Sequence, residues 1–383
     1  MIPRFKPSLD IQEFLKIFSI NRGAEKKFEE EFAKKFNAVD AIAFPYGRSA
    51  QWAFFNAIGL KNSQIIMPAY TCSVVAHSIS LSNNTPRFID INLDDFNMDL
   101  DLLRDAISKD TRAIIATHTF GYPQDIETLE MIINDAEERF GNKIWLIQDC
   151  CHAFGAEYQG RMIGSSGDVA VYAFNISKIM HSIFGGMLTF QDQELADKVR
   201  AWRDDNFKRT SIFKSIKRRA YLFAVYIAFN KYIYTITCWI QNNTTLLDTF
   251  TKAYHLDDEI KFPPDYQERI SNVEAAVGLV QLDKYPEIIR FRKEAALNYS
   301  KNLANKKNEW KLPPIIDGAT YSHYPVRVPN KQEVMAEYLS RGIQLGEVIE
   351  YSIPDLECYK DIGDDCPNSR EASQTTINFP VTK

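Results

Sequence analysis

The sequence contains few cysteines, and their spacing suits neither a metal centre nor a disulfide framework. No C-x-x-C pair occurs, so no metal site is predicted. The six cysteines are Cys72, Cys150, Cys151, Cys238, Cys358 and Cys366. The chain begins in polar sequence, without the charged-then-apolar segment of a secretory signal. These absences predict reduced thiols and a cytoplasmic protein.

The sequence also lacks internal repeats, low-complexity tracts and an excess of positive charge. Its 45 Lys and Arg residues against 50 Asp and Glu leave a formal charge of −5, which argues against a general nucleic-acid binder. A hydrophobic content of 45% is ordinary for a protein with a sizeable core. A length of 383 residues favours one large and one small domain.

Short apolar runs alternate with amphipathic stretches along the first 200 residues. Six runs are typical of buried strands: "SQIIMPAY", "PRFIDIN", "RAIIATHTF", "KIWLIQDCC", "DVAVYAF" and "GGMLTF". Between several of them lie helical patterns such as "AQWAFFNAIGL" and "DIETLEMIINDAEERF". Buried strands separated by crossover helices predict an α/β fold whose mostly parallel central sheet is covered on both faces.

The same patterns divide the chain into an N-terminal arm (1–22), a large domain (23–285) and a smaller C-terminal α+β domain (286–383). A long helix is predicted at "ISNVEAAVGLVQLDKYPEIIRFRKEAALNYSKNL", around the junction of the two domains. In the small domain, "YSHYPVRV" predicts a strand and "KQEVMAEYLSRGI" a helix. A basic and apolar helical insertion interrupts the large domain at about residues 206–260.

An amine, a carboxylate and a helix start are predicted to meet at one edge of the sheet. Asp149 ends one apolar strand and Lys178 follows the next, so both should lie where parallel strands place their carboxyl ends. Gly47 and Ser49 begin a helix, whose free N–H groups suit a phosphate. Each residue alone has an ordinary explanation, as a cap, an ion pair or a solvated lysine. Together they predict pyridoxal 5′-phosphate (PLP), which needs all three groups.

Several motifs resemble those of the DegT/StrS-type nucleotide-sugar aminotransferases. They include "GRSA", "MPAYTCSVVAHSI", "FIDINLDDFNMDLDLL", "IQDCCHAFGAEYQGRMIGSSGDVAVYAFNISK", "GGML" and "AAVGLVQLDKYPEIIRFR". The resemblance runs from about Gly23 to Arg292 and continues weakly to the C-terminus. It implies a fold-type I PLP enzyme that is a homodimer with shared active sites. It further implies amino transfer from an amino acid, with glutamate favoured, to a nucleotide-linked keto sugar for surface-polysaccharide biosynthesis.

The resemblance assigns roles to individual positions. Lys178 would form the Schiff base with PLP and move the proton, and Asp149 would pair with the pyridine nitrogen. His152 would lie near the cofactor's 3′-oxygen, although a structural hydrogen-bonding role is equally open. Gln267 is the candidate for a contact with the partner subunit's cofactor. The residues expected to cradle the phosphate are Gly47, Arg48 and Ser49.

The chain departs from the family pattern at two places that touch the cofactor. Many relatives stack an aromatic ring on the cofactor where this chain has Cys72, and Tyr70 is the candidate to compensate. Relatives commonly have a phosphate-binding serine where this chain has Ala173, and Ser177 or Asn175 is the candidate substitute.

Three alternatives to sugar amino transfer stay open. A dehydratase branch of the family replaces the lysine by histidine, so Lys178 favours transamination. The acceptor could instead be a non-sugar or lipid-attached ketone. The chain could also be a degenerate relative without catalytic activity.

The insertion carries seven basic residues and no acidic residue between Asn206 and Leu247. Lys231 at mid-span argues against a membrane-crossing helix, because a central lysine costs about 3 kcal/mol on insertion scales. One hypothesis is peripheral contact with the inner membrane through residues 206–242, as a helix lying in the interface with basic residues on anionic head groups. The alternative is that its aromatic residues pack on a partner subunit or cover the active-site mouth.

Overall fold

The computed structural model describes residues 1–230, 232–243, 258–304 and 309–382. Its helices are α1 (Ile11–Lys16), α2 (Ala24–Lys35), α3 (Gly47–Ala57), α4 (Ser73–Ser80), α5 (Leu100–Ala106), α6 (Ile126–Phe140), α7 (Gln193–Asn206), α8 (Ile212–Ala228), α9 (Tyr234–Asn243), α10 (Asn272–Leu303), α11 (Lys331–Ser340) and α12 (Pro367–Thr375). Its strands are β1 (Asp40–Phe44), β2 (Gln64–Pro68), β3 (Thr85–Ile89), β4 (Thr111–Thr117), β5 (Trp145–Asp149), β6 (Glu157–Tyr158), β7 (Arg161–Met162), β8 (Val169–Ala173), β9 (Gly186–Phe190), β10 (Tyr324–Arg327) and β11 (Thr376–Phe379).

Seven strands form one sheet in the order β1-β9-β8-β5-β4-β2-β3. Strand β9 is antiparallel to β1 and β8, and the remaining neighbours are parallel. The predicted mostly parallel sheet is therefore confirmed, and all six predicted runs form strands. The sequence analysis missed β1, because its four-residue apolar run after Asp40 has no periodicity that separates a strand from a short helix.

Helices cover both faces of the sheet. Successive strand residues point to opposite faces, so Ile65 and Met67 join one core while Ile66 joins another. The first core packs under α3, α4 and α7, and the second under α5 and α6. Helices α2 and α10 enclose a third core, in which Phe28 and Phe32 lie against strand residues such as Tyr172.

Helix α10 links the large sheet to the C-terminal unit. It begins with a capping box, in which the Ser271 hydroxyl and the Glu274 carboxylate each accept from the other residue's backbone N–H. The predicted domain boundary falls inside this continuous helix, next to Pro286. The predicted strand and helix of the C-terminal unit form as β10 and α11, and β10 pairs antiparallel with β11. The division into domains itself stays a prediction.

The described part of the insertion contains two helices, α8 and α9, where the sequence analysis described one. Lys231 and residues 244–257 of the predicted insertion lie outside the described residues. Among the helices that the structure describes, none combines the length and apolar character needed to cross a bilayer.

The basic side chains of α8 are turned largely toward the protein. Lys214 Nζ donates to the backbone oxygen of Glu268 at 2.8 Å, and Arg218 Nε lies 2.9 Å from Glu274 Oε1. Arg219 donates to backbone carbonyls at the end of α1. The prediction that this basic run faces lipid head groups is therefore wrong for these three residues, because carboxylates and carbonyls elsewhere in the fold bind them.

Candidate active site

The carboxyl edge of the sheet brings Asp149 and Lys178 into the same region. Strands β5 and β8 are parallel neighbours with Asp149 opposite Val171, and Lys178 lies in the turn that follows β8. Burial and the Asp149 charge raise the pKa of the Cys151 thiol, and the charge of Lys178 acts in the opposite direction. The Asp149 carboxylate and the Lys178 amine therefore both lie close enough to the Cys151 thiol to affect its pKa.

The Asp149 carboxylate is buried and held by two donors. Its Oδ1 accepts from the Cys151 N–H at 3.0 Å, and its Oδ2 accepts from the Thr117 hydroxyl at 3.5 Å. Thr117 ends the neighbouring strand β4 and pairs with Asp149 in the sheet. The carboxylate therefore has a defined orientation at the strand end.

The start of α3 adjoins the strand that leads to Lys178. A Cβ atom at Gly47 would lie 2.9 Å from Ala173 Cβ, so only glycine lets the helix approach β8 this closely. No side chain caps the helix at Tyr46, which leaves the first-turn N–H groups available for an anion. The Ser49 hydroxyl is fully buried and has no hydrogen-bond partner among the described residues.

This combination fits PLP. A buried hydroxyl without a partner among the described residues, beside helical N–H groups that no side chain caps, is what a phosphate would satisfy. The oriented carboxylate and the nearby amine are the other two groups that the cofactor requires. Arg48 is half-buried in the same first turn.

Two neutral histidines lie beside Lys178. His152 Nδ1 accepts from the Phe120 N–H at 3.4 Å, and the two rings stack at a 15° interplanar angle. The ring of His323, from the segment before β10, lies 5.4 Å from that of His152. Burial lowers the pKa of both histidines well below the usual range, and the Lys178 charge lowers them further.

The turn that carries Lys178 is organised by Asn175. Its side-chain Oδ1 accepts from the Ser177 hydroxyl at 2.6 Å and from the Ser177 N–H at 3.1 Å. Its backbone oxygen accepts from the Lys178 N–H at 3.0 Å. Asn175 and Ser177 thus shape the loop, and their predicted contact with phosphate stays a prediction.

The residues predicted to replace the stacking aromatic lie in different surroundings. Cys72 is exposed at the N-cap of α4. Tyr70 is fully enclosed, with its hydroxyl donating to the Ile349 backbone oxygen at 3.4 Å and its ring against Phe96. The structure therefore gives Tyr70 a packing role between the sheet and the C-terminal unit.

Gln267 lies at the base of the insertion. Its backbone oxygen accepts from the Lys208 N–H at 2.8 Å, and a short parallel bridge joins Lys208 to Glu268. This pairing fixes the segment next to the start of α8. The contact between Gln267 and a partner subunit's cofactor stays a prediction.

Sequence reasoning missed two residues of this region. Thr117 holds the Asp149 carboxylate and His323 contacts the His152 ring. The strand pattern around Thr117 could have indicated a hydroxyl at the same sheet edge. For His323, only the predicted strand "YSHYPVRV" was available, and it contains no sign of where the C-terminal unit meets the sheet.

Comparison with known proteins agrees with this geometry. The model of the DegT/DnrJ/EryC1/StrS aminotransferase family matches residues 10–383. GDP-perosamine synthase from Escherichia coli O157:H7 is 25% identical over 73% of this chain and 62% of its own length. A dTDP-4-amino-4,6-dideoxy-D-glucose transaminase from Shigella dysenteriae is 24% identical over 99% of this chain and 91% of its own.

The fold has a close counterpart among solved structures. A putative sugar aminotransferase from Streptococcus pneumoniae, solved in its PLP form, superposes with a TM-score of 0.74 at 20% identity. The match covers 100% of this chain and 94% of that one. These findings confirm the predicted fold and family. The chain belongs to the DegT/DnrJ/EryC1/StrS aminotransferase family.

Proposed function

We propose that this chain is a PLP-dependent aminotransferase that moves an amino group from glutamate to the ketone of a nucleotide-linked sugar, for surface-polysaccharide biosynthesis. The observation that carries the proposal is the meeting of Lys178, Asp149 and the start of α3 at the carboxyl edge of the sheet. The relatives named for GDP- and dTDP-linked sugars support the substrate class.

The chain's own residues account for the binding of the cofactor. The first-turn N–H groups of α3 and the buried Ser49 hydroxyl would hold the phosphate, and Asp149 would hold a proton on the ring nitrogen. When bound, PLP supplies an electron sink that stabilises negative charge at the carbon beside the transferred nitrogen.

Lys178 has two roles in this proposal. Its Nζ would hold the cofactor covalently, and in each half-reaction the free amine would move a proton to or from the reacting carbon. His152 and His323 are kept neutral by burial, so they can hydrogen-bond in the crevice without adding positive charge next to the lysine.

Covalent attachment tests the site. Protein saturated with PLP is reduced with borohydride, digested and analysed by mass spectrometry. We expect the adduct on the peptide that contains Lys178, and no adduct in Lys178→Ala. Lys198→Ala, which removes an exposed lysine, is the matched control and should keep the adduct. Modification of another lysine, or of none, would contradict the assignment.

Amino transfer tests the reaction. We expect glutamate alone to yield 2-oxoglutarate in an amount equal to the enzyme, and turnover to continue only when a GDP- or dTDP-linked keto sugar is added. A cofactor that is bound but unchanged by glutamate would exclude glutamate as donor. Stoichiometric conversion without turnover on any sugar nucleotide would exclude the proposed acceptor.

We also propose that two copies form a homodimer with shared active sites, in the cytoplasm. The free state of all six cysteines supports the location, and the position of Gln267 beside the insertion supports the shared site. Sedimentation equilibrium should give twice the chain mass, and Gln267→Ala should weaken PLP binding without changing that mass. A monomer with full PLP affinity would contradict the shared site.

A further inference from the structure

Helix α8 presents a continuous apolar face to solvent. Ile212, Ile216, Phe223 and Ile227 recur at helical spacing on that face, and Phe213 lies beside them. Ile212 is 81% exposed, Phe213 78% and Ile216 59%. These five residues are called the α8 apolar surface below. Bulky side chains this exposed, and grouped on one helix face, mark an interaction surface rather than scattered surface apolar residues.

The neighbouring helix α1 extends this surface. Its Phe14 packs on Phe223 and on Tyr226, with ring centroids 6.0 and 4.6 Å apart. Leu15 of α1 and Phe18, two residues past its end, are 54% and 68% exposed. Two helices that pack side by side therefore both leave apolar side chains in water.

The inner face of α8 fixes this orientation. Lys214 and Arg218 are buried and bind Asp265 and Glu274, while Leu222 packs into the core. Turning the apolar face inward would break these ion pairs and leave Glu274, which is fully buried, without its cation. The helix is thus held with its apolar face outward.

Charge distinguishes what this surface can bind. Close to it in sequence, the exposed charged residues are the cations Lys208, Arg209 and Lys217, and residues 206–247 include no carboxylate. The carboxylate of Glu268, outside that segment, accepts from the Ser211 hydroxyl at 3.2 Å. A second copy docked face to face about a two-fold axis would bring like charges together. An anionic lipid surface complements both the cations and the apolar side chains.

We propose that the α8 apolar surface docks on an anionic phospholipid bilayer, with α8 lying in the head-group region and Lys217, Lys208 and Arg209 contacting lipid phosphates. This differs from the sequence hypothesis, because apolar insertion carries the contact and most of the basic residues of α8 serve the fold. Docking needs no substrate, so vesicle binding tests it separately from amino transfer.

The test is flotation of the full chain with vesicles of phosphatidylcholine alone or with phosphatidylglycerol added. We expect wild type to float with the anionic vesicles. Ile212→Ser/Phe213→Ser/Ile216→Ser should reduce the partition coefficient at least about tenfold, because three exposed apolar groups no longer enter the lipid. Lys217→Ala should reduce it by about fivefold, and only on anionic vesicles.

The matched control removes exposed apolar residues outside this surface. Leu102→Ser/Met131→Ser changes side chains that are 46% and 60% exposed on α5 and α6, and should float like wild type. Wild type that stays with the soluble fraction on anionic vesicles would overturn the proposal, as would equal flotation of the triple variant. Dissociation of a wild-type oligomer in the triple variant, seen by sedimentation, would assign the surface to a second copy and also overturn it.

Discussion

Among single residues, Arg218 has a structural role that was not evident from the sequence, where it is one of several basic residues close together. Its Nη2 lies 2.8 Å from both Asp265 Oδ2 and the Tyr46 hydroxyl, and its guanidinium carbon lies 4.2 Å from the centre of the Phe184 ring. Glu274, its other partner, is fully buried. Burial raises the pKa of Glu274, and Arg218 and Lys214 partly offset that effect. The cation is therefore needed to keep this carboxylate ionised inside the protein.

Removing the cation should be costly. We expect Arg218→Met to lower the free energy of unfolding by about 3–5 kcal/mol, because the fully buried Glu274 carboxylate would lose the guanidinium that pairs with its Oε1. Lys217→Met, at an exposed neighbouring position, should change it by no more than about 0.5 kcal/mol. Urea denaturation at pH 7 measures both, and equal effects would show that the buried pairs contribute nothing.

The residues of the crevice were predictable to different degrees. Asp149 and Lys178 stand next to apolar strands, so strand periodicity alone placed them at the sheet edge. His323 lies about 170 residues along the chain from His152, and its contact depends on how the C-terminal unit packs. No local sequence pattern predicts that packing.

At the scale of elements, strand β9 passes close to the start of α3. Gly186 pairs with Phe44 of β1, and a Cβ atom there would lie 2.5 Å from the Tyr46 carbonyl carbon and 2.6 Å from the Gly47 nitrogen. Those are backbone atoms, which cannot move aside as a side-chain tip can. Because Gly186 has no Cβ atom, β9 can pass directly beside the backbone at which the proposed phosphate site begins.

A single methyl group should disturb this contact. We expect Gly186→Ala to destabilise the protein by about 1–3 kcal/mol and to weaken PLP binding, because it pushes the start of α3 away from β9. Met187→Leu, a volume-conserving change at the next position, should cost less than about 1.5 kcal/mol and keep PLP affinity. Thermal unfolding and PLP titration check both. Unchanged PLP affinity in Gly186→Ala would separate this contact from the cofactor site.

Helix positions were predictable from periodicity, but their inner and outer faces were less so. In α8 both faces carry apolar residues, and cations occur on the inner face as well as at exposed Lys217, so the sequence alone allowed either face to point inward. Asp265 and Glu274, more than 40 residues later, decided which side is buried.

Over the whole molecule, several histidines are kept neutral by burial. His118 is enclosed, with Nε2 donating to Gln148 Oε1 at 2.8 Å and Nδ1 accepting from the Gln124 N–H. Burial lowers the pKa of His118 to about 4 and that of His181 to about 3. Below pH 6.5 the unfolded chain binds protons at these positions that the folded chain does not. Stability is therefore complete above pH 6.5 and falls as the pH drops toward these lowered values.

This linkage predicts acid sensitivity. From pH 7 to pH 5 each of these two histidines should remove about 2 kcal/mol from the free energy of unfolding. In His118→Asn the loss over that interval should be smaller than in wild type by about 2 kcal/mol. Buried carboxylates with a raised pKa, such as Glu25, change the free energy of unfolding with pH in the opposite direction. They are the same in both proteins, so comparing the two by urea denaturation cancels their contribution. An identical pH dependence would show that His118 titrates normally in the folded protein.

By itself, the sequence determined six of the seven strands of the large sheet, several helices, the family and the placement of Asp149 and Lys178 at one edge of the sheet. These follow from short-range periodicity and from residues adjacent to strand ends, which are local properties of the chain. Only the tertiary structure decided that Tyr70 packs away from solvent, that α8 turns Arg218 inward, and that His323 meets His152. Each depends on contacts between segments far apart in the chain, whose free energies are set by burial and charge pairing at the meeting point rather than by any local pattern.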